Sequence, residues 1–179
     1  MQRCDGGINN PSIWRQLRPR SSMERVLFRL KCHRYSNRKM KKFIVYRPIS
    51  GYKYELAVPA ETDSSIIGLD IETEYLKLQN DGLLLARKGY CWDGPSGPSI
   101  DTKNFMRGSL FHDAGYQLIR MGLLPIEYKS HIDDLLKRIC LEDGMSGFRS
   151  WYVHRSVSLF GASSCRPNTQ VKQIPQVAP

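Results

Sequence analysis

A histidine and an aspartate stand side by side at His112-Asp113, and Tyr116 follows four residues after the histidine. On an α-helix, residues four apart share a face and neighbours are turned by about 100°. His112 and Tyr116 would therefore point one way and Asp113 another. A neutral imidazole can take a proton from water. A carboxylate hydrogen-bonded to the ring fixes its tautomer and makes it more basic. The glycine–proline loop Trp92-Asp93-Gly94-Pro95-Ser96-Gly97-Pro98-Ser99 lies just before the pair, and its glycines bring backbone carbonyls close to it. Ile100, Phe105, Met106, Leu110, Phe111, Leu118 and Ile119 surround the pair at helical spacing. The stretch thus predicts a central core helix, capped by Asp101 or Thr102.

Other elements must hold this helix in place. Gly122 and Pro125 end it. Ser130 and Asp133 form a capping pair for a second helix over 130–142, on which Ile132, Leu135, Leu136, Ile139 and Cys140 have helical spacing. Asp133 on that helix can reach His112. A third helix over 147–160 starts at Ser146, carries Trp151, Val153, Val157, Leu159 and Phe160, and stops at Gly161. From Ala162 the composition turns polar, and 166–179 reads as an extended tail.

Upstream the apolar period is two. Residues 43–47 and 52–58 read as strands with a turn at Pro48–Gly51, and 66–71 and 74–78 as shorter ones. Asn80-Asp81-Gly82 marks a hairpin whose return strand is 83–87. Strands followed by helices predict an α+β fold: a small antiparallel sheet, then a three-helix, bundle-like half. One domain, 40–165, accounts for it.

The 179 residues suit one domain with a real core. A 41% hydrophobic and 25% charged composition is that of a globular chain. There is no apolar run of about 18 residues to span a membrane and no apolar signal region. Five widely spaced cysteines without a CxxC pair point to thiols rather than a disulfide scaffold or zinc site. The net charge of +10 is uneven. Residues 1–39 hold ten Lys/Arg against two Asp/Glu, a net +8, which leaves +2 for the rest. Nucleic-acid binding would rest on this basic leader alone, and the folded body is not expected to bind it. Residues 1–22 read as disordered, and 23–35 as a basic amphipathic helix suited to an anionic membrane or a partner. Alternatively, Met40 is the natural start.

Plainer readings stand beside the chemical one. His112-Asp113 can be an ordinary helix pair with a satisfied histidine. The GPSGP run can be only a tight turn. Asp133-Asp134 beside His131 suggests a metal, but one aspartate serves as a cap and the other faces solvent. Cys91 beside Trp92 could be a nucleophile, but no independent base is visible for it. A His-Asp metal phosphohydrolase needs an upstream histidine, and His33 in the leader is the only one.

From Met40 onward, GYCWDGPSGPSIDTKNFMRGSLFHDAGYQL, Asp133, VSLFGASSCRP and the Ala-Pro end resemble a family of uncharacterised phage and prophage proteins. Its mark is a glycine-rich loop followed by His-Asp-x-x-Tyr. The resemblance implies a phage or prophage origin, other phage proteins as partners, and the bacterial host cytoplasm or the virion as location, with no settled activity. The loop and His-Asp-x-x-Tyr are also similar to the active site of phospholipase A2. That likeness implies His112 as general base for a water attacking a lipid ester. Asp113 and the carbonyls around Trp92, Gly94 and Gly97 would bind calcium, and Asp133 and Tyr116 would support His112. Phospholipid, or a membrane surface, would be the partner. The secreted enzymes' disulfides have no counterpart here: Phe111 and Gly115 stand near where cysteines would be. The alternative is a non-catalytic phage accessory or virion protein in which the same residues are structural.

Overall fold

The computed structural model describes residues 42–50, 53–94 and 102–166. The chain is α+β, with short strands between 46 and 92 followed by helices between 103 and 160. The leader, the proposed helix over 23–35, Asp101, Gly97 and the tail beyond 166 lie outside the described residues.

The strands form two antiparallel sheets rather than one. The first has the order β1 (Tyr46–Pro48), β2 (Tyr54–Leu56), β7 (Cys91–Trp92). The second has the order β3 (Ala60–Asp63), β6 (Leu83–Ala86), β5 (Leu76–Leu78), β4 (Ile71–Glu72). The β5–β6 hairpin is as expected. Gly82 N–H closes the turn onto the Gln79 carbonyl at 2.8 Å, and Gly82 takes φ +91°, a value that costs glycine little.

Three expectations change. Residues 43–45 stay outside the first strand, which runs to Pro48 instead. The strand expected at 66–71 shrinks to Ile71–Glu72, because the 64 and 68 amides bond to the Gly82 and Asn80 carbonyls of the hairpin loop and not to a ladder. β3 and β7 are additions. β3 is the polar sequence AETD, and its pairing with β6 in register Ala60↔Ala86 to Asp63↔Leu83 makes it a strand.

Three helices follow: α1 (Lys103–Arg120), α2 (Lys129–Glu142) and α3 (Gly147–Phe160). Along α1 and α2 the contacts run in opposite directions: Arg107 meets Asp143, Gly108 meets Cys140 and Leu136, and Gly115 meets Ile132. The two helices are therefore antiparallel. Thr102 takes the N-cap backbone conformation of α1, but its hydroxyl donates to Asn104 Oδ1 at 2.7 Å and accepts no bond from a helix amide. The Ser130–Asp133 capping pair does not form. A 3-10 turn, Ile126–Tyr128, leads directly into α2, and Asp133 faces inward. Ser146 does cap α3, accepting from the Arg149 amide at 3.4 Å. After α3, Ser163–Cys165 makes a further 3-10 turn that buries Cys165.

The main core joins Leu56, Leu76, Leu84 and Trp92 of the sheets to Leu110, Phe111 and Leu118 of α1 and Ile132 of α2. A smaller cluster, Phe105, Leu136, Cys140, Met145 and Val153, fills the space between the three helices. Close approach of α1 and α2 depends on two glycines two turns apart. A Cβ at Gly108 would meet Cys140 Sγ at 2.8 Å, and one at Gly115 would meet Ile132 at 2.5 Å. Gly115→Ala should therefore destabilise the fold by about 1–3 kcal/mol in denaturant unfolding, despite the better helix propensity of alanine. Gly147→Ala, where nothing lies within 4 Å, should be neutral or stabilising. Equal effects at the two sites would show that the α1–α2 contact has room to spare.

Candidate functional site

Strand β7 delivers the loop to α1. Trp92 is buried with Tyr46 and Tyr54, at centroid distances of 5.8 and 5.6 Å. Its indole N–H donates to Ser109 Oγ at 3.3 Å, three residues before His112. Gly94 lies so close to Tyr54 that a Cβ would meet the ring at 2.6 Å. The start of the loop is thus fixed on the helix that carries the histidine.

The structure brings His112, Tyr116 and Asp133 together. Asp133, 2% exposed, accepts at Oδ1 from His112 Nε2–H (3.1 Å) and from the Tyr116 hydroxyl (2.8 Å). Because a carboxylate only accepts, this bond assigns the proton of a neutral His112 to Nε2 and leaves Nδ1 with its lone pair. Nδ1 lies 3.8 Å from Asp113 Oδ1, too far for a direct hydrogen bond. The His112 and Tyr116 rings pack at 4.0 Å, as residues four apart should.

Sequence reasoning missed Lys129. Its ammonium donates to Asp133 Oδ2 at 2.7 Å, to the Val157 carbonyl at 3.1 Å and to the Ser158 carbonyl at 3.5 Å. The signal was present as an i,i+4 Lys–Asp spacing on α2. In the sequence, Gly161 signals only a helix stop. It also leaves the space that Tyr116 fills, since a Cβ there would clash with the Tyr116 hydroxyl.

The titration behaviour follows from these contacts. Burial disfavours the His112 imidazolium, but the carboxylates of Asp113 and Asp133 outweigh it and hold the pKa above the ordinary 6.5. Burial would raise Asp133, but the hydrogen bonds from His112, Lys129 and Tyr116 prevail and hold it below 3.8. Burial also pushes the Tyr116 phenol far up, and the Asp133 charge adds to this, so Tyr116 is a permanent donor.

Asp113 lies on the Nδ1 side of the His112 ring, with its side chain 27% exposed. Burial raises its pKa above 3.8. His112 and Arg120 oppose the rise, and the like charge of Asp93 adds to it. A carboxylate whose charge burial disfavours has the chemistry to accept a hard cation. Among the described residues, no group of three or more His, Cys, Asp or Glu is placed to hold a metal ion. Protein oxygens of a site here would therefore come from Asp113 and backbone carbonyls. Trp92 and Gly94 stand at the described end of the loop; Gly97 lies outside the described residues. No helix of the described residues is long and apolar enough to cross a membrane. His131 stands apart from the site, its ring against Tyr128 at 5.6 Å. Asp134 pairs with His154 at 2.9 Å.

No protein family, no curated protein and no solved structure matches the chain.

Proposed function

We propose that this chain is a phage or prophage ester hydrolase of the phospholipase A2 type, with His112 as general base. The observation that carries the reading is the bond from His112 Nε2 to the buried Asp133, which leaves Nδ1 as the basic nitrogen. In this reading a water hydrogen-bonded to Nδ1 gives up its proton as its oxygen attacks the ester carbonyl carbon. The oxyanion then collapses, the ester C–O bond breaks, and the imidazolium returns the proton to the leaving alkoxide. Asp133 holds the ring in place and stabilises the imidazolium that forms, and Tyr116 holds Asp133. Calcium, bound by Asp113 and carbonyls of the Trp92–Gly97 stretch, would supply positive charge for the developing oxyanion. The substrate class is a phospholipid ester.

Turnover of phospholipid vesicles with calcium and with a chelator tests it. The wild type should hydrolyse only with calcium, and Asp113→Asn should lose at least about 10²-fold. Calcium should raise the melting temperature of the wild type, and much less that of Asp113→Asn. A cation at about 100 times its Kd adds about 2.7 kcal/mol. A wild type that neither hydrolyses nor responds to calcium sinks the proposal.

One observation favours a second, structural reading. Lys129 already neutralises Asp133, so the carboxylate offers an imidazolium less than an unpaired one would. In that reading the cluster clamps α1, α2 and α3 together in a non-catalytic accessory or virion protein.

A further inference from the structure

We propose that the outward face of α3 docks on an anionic lipid membrane. Ser150 and Val153 of this helix are buried, and Val157 packs with Val153 in the cluster between the helices. At about 100° per residue, the opposite side gathers Phe148, Trp151, Tyr152, Arg155 and Leu159 into one arc. Phe148 is 79% exposed, Trp151 52%, Tyr152 47% and Leu159 63%. The Phe148 and Trp151 rings lie 6.1 Å apart in one patch. A helix apolar on both sides is normally covered on both, and an exposed aromatic stripe of this length marks a contact surface.

The charges on the helix select what covers it. The sequence GFRSWYVHRSVSLF holds two arginines and no aspartate or glutamate, and its histidine, His154, pairs with Asp134 of α2 at 2.9 Å. Aromatic rings and leucine interleaved with cations suit the headgroup region of an anionic bilayer. The rings sit at the acyl boundary, and the arginine stem lies along them while its guanidinium reaches the phosphates. A second copy of the chain fits less well. In a two-fold contact the middle of the stripe meets itself, which would bring Arg155 close to its own like charge. The surface goes beyond the hydrolase reading, because it needs neither His112 nor calcium.

The test uses the full chain with Trp14→Phe, so that Trp151 reports, Trp92 being 2% exposed. Vesicles of ether-linked phosphatidylcholine, with and without ether-linked phosphatidylglycerol, contain no ester to hydrolyse. The protein should sediment with the anionic vesicles and its Trp151 emission should shift to the blue. Phe148→Ser/Leu159→Ser should keep its melting temperature and lose at least about tenfold in partitioning. Arg155→Glu should lose at least about fivefold on anionic vesicles. No binding by the starting protein overturns the proposal. So does binding that the double variant leaves unchanged, which would belong to the basic residues 1–39. Self-association in solution that the double variant abolishes would overturn it too, and assign the face to a second copy.

Discussion

Asp133→Ala should cost the fold about 3–5 kcal/mol, the loss expected when one partner leaves a buried ion pair. Three donors converge on this carboxylate: the His112 ring, the Tyr116 hydroxyl and the Lys129 ammonium. Alanine would leave the first two without an acceptor in the core, and the ammonium with only the Val157 and Ser158 carbonyls. Asp133→Asn keeps one acceptor but turns the other position into a donor facing Lys129, so its loss should be intermediate. Urea unfolding measures both, with an unchanged m-value showing that the midpoint reports stability. A loss below about 1 kcal/mol for the alanine variant would put the cluster in the range of surface ion pairs and contradict the burial argument. The pH dependence has a definite sign. Asp133 has a lowered folded pKa, so its contribution is complete above 3.8 and disappears as pH falls through the folded value. His112 has a raised one, so its contribution is complete below 6.5 and is lost as pH rises through the folded value. The pair should stabilise most between these two limits, and Asp133→Ala should flatten both flanks.

His112→Gln should remove about 10²–10⁴-fold of turnover on phospholipid vesicles. Its effect on unfolding should be small, because glutamine can still donate to Asp133. Only the neutral ring can accept a proton, and its pKa is raised. The wild-type kcat/KM should therefore climb with pH through an inflection above 6.5. Adding Asp133→Asn should cost little more activity, since the two residues act as one unit. The opposite pattern, with no turnover in the wild type and a clear stability loss in His112→Gln, leaves the structural reading.

The part of the site that rests on side-chain spacing was legible in the sequence. His112 and Tyr116 share a face because they are four apart, and Asp133 meets them because α2 runs antiparallel to α1. Lys129 escaped notice because Ser130 and Asp133 also fit a capping pair, and that pattern drew the aspartate away from its i,i+4 partner. The Val157 and Ser158 carbonyls have no sequence signal, since any residue carries one. Among the strands, Leu83–Ala86 showed itself by its apolar run beside Asn80-Asp81-Gly82. Ala60–Asp63 did not, because AETD has weak strand propensity and long-range pairing with β6 decides its state. Trp151, Leu159 and Phe160 read as apolar helix residues, but periodicity could not show that they face outward, because α3 is apolar on both sides.

The Lys129 ammonium has a consequence for how the helical half opens. It joins the first turn of α2 to the last carbonyls of α3, and through Asp133 to the middle of α1. Separating any one of these segments exposes a charge or a donor belonging to the other two. Backbone amides in the middle of α1, in the first turns of α2 and in the last turn of α3 should thus share one opening event, with common exchange rates in deuterated water and a common response to denaturant. The first turn of α3, held by the Ser146 cap and remote from the cluster in sequence, is left to exchange on its own.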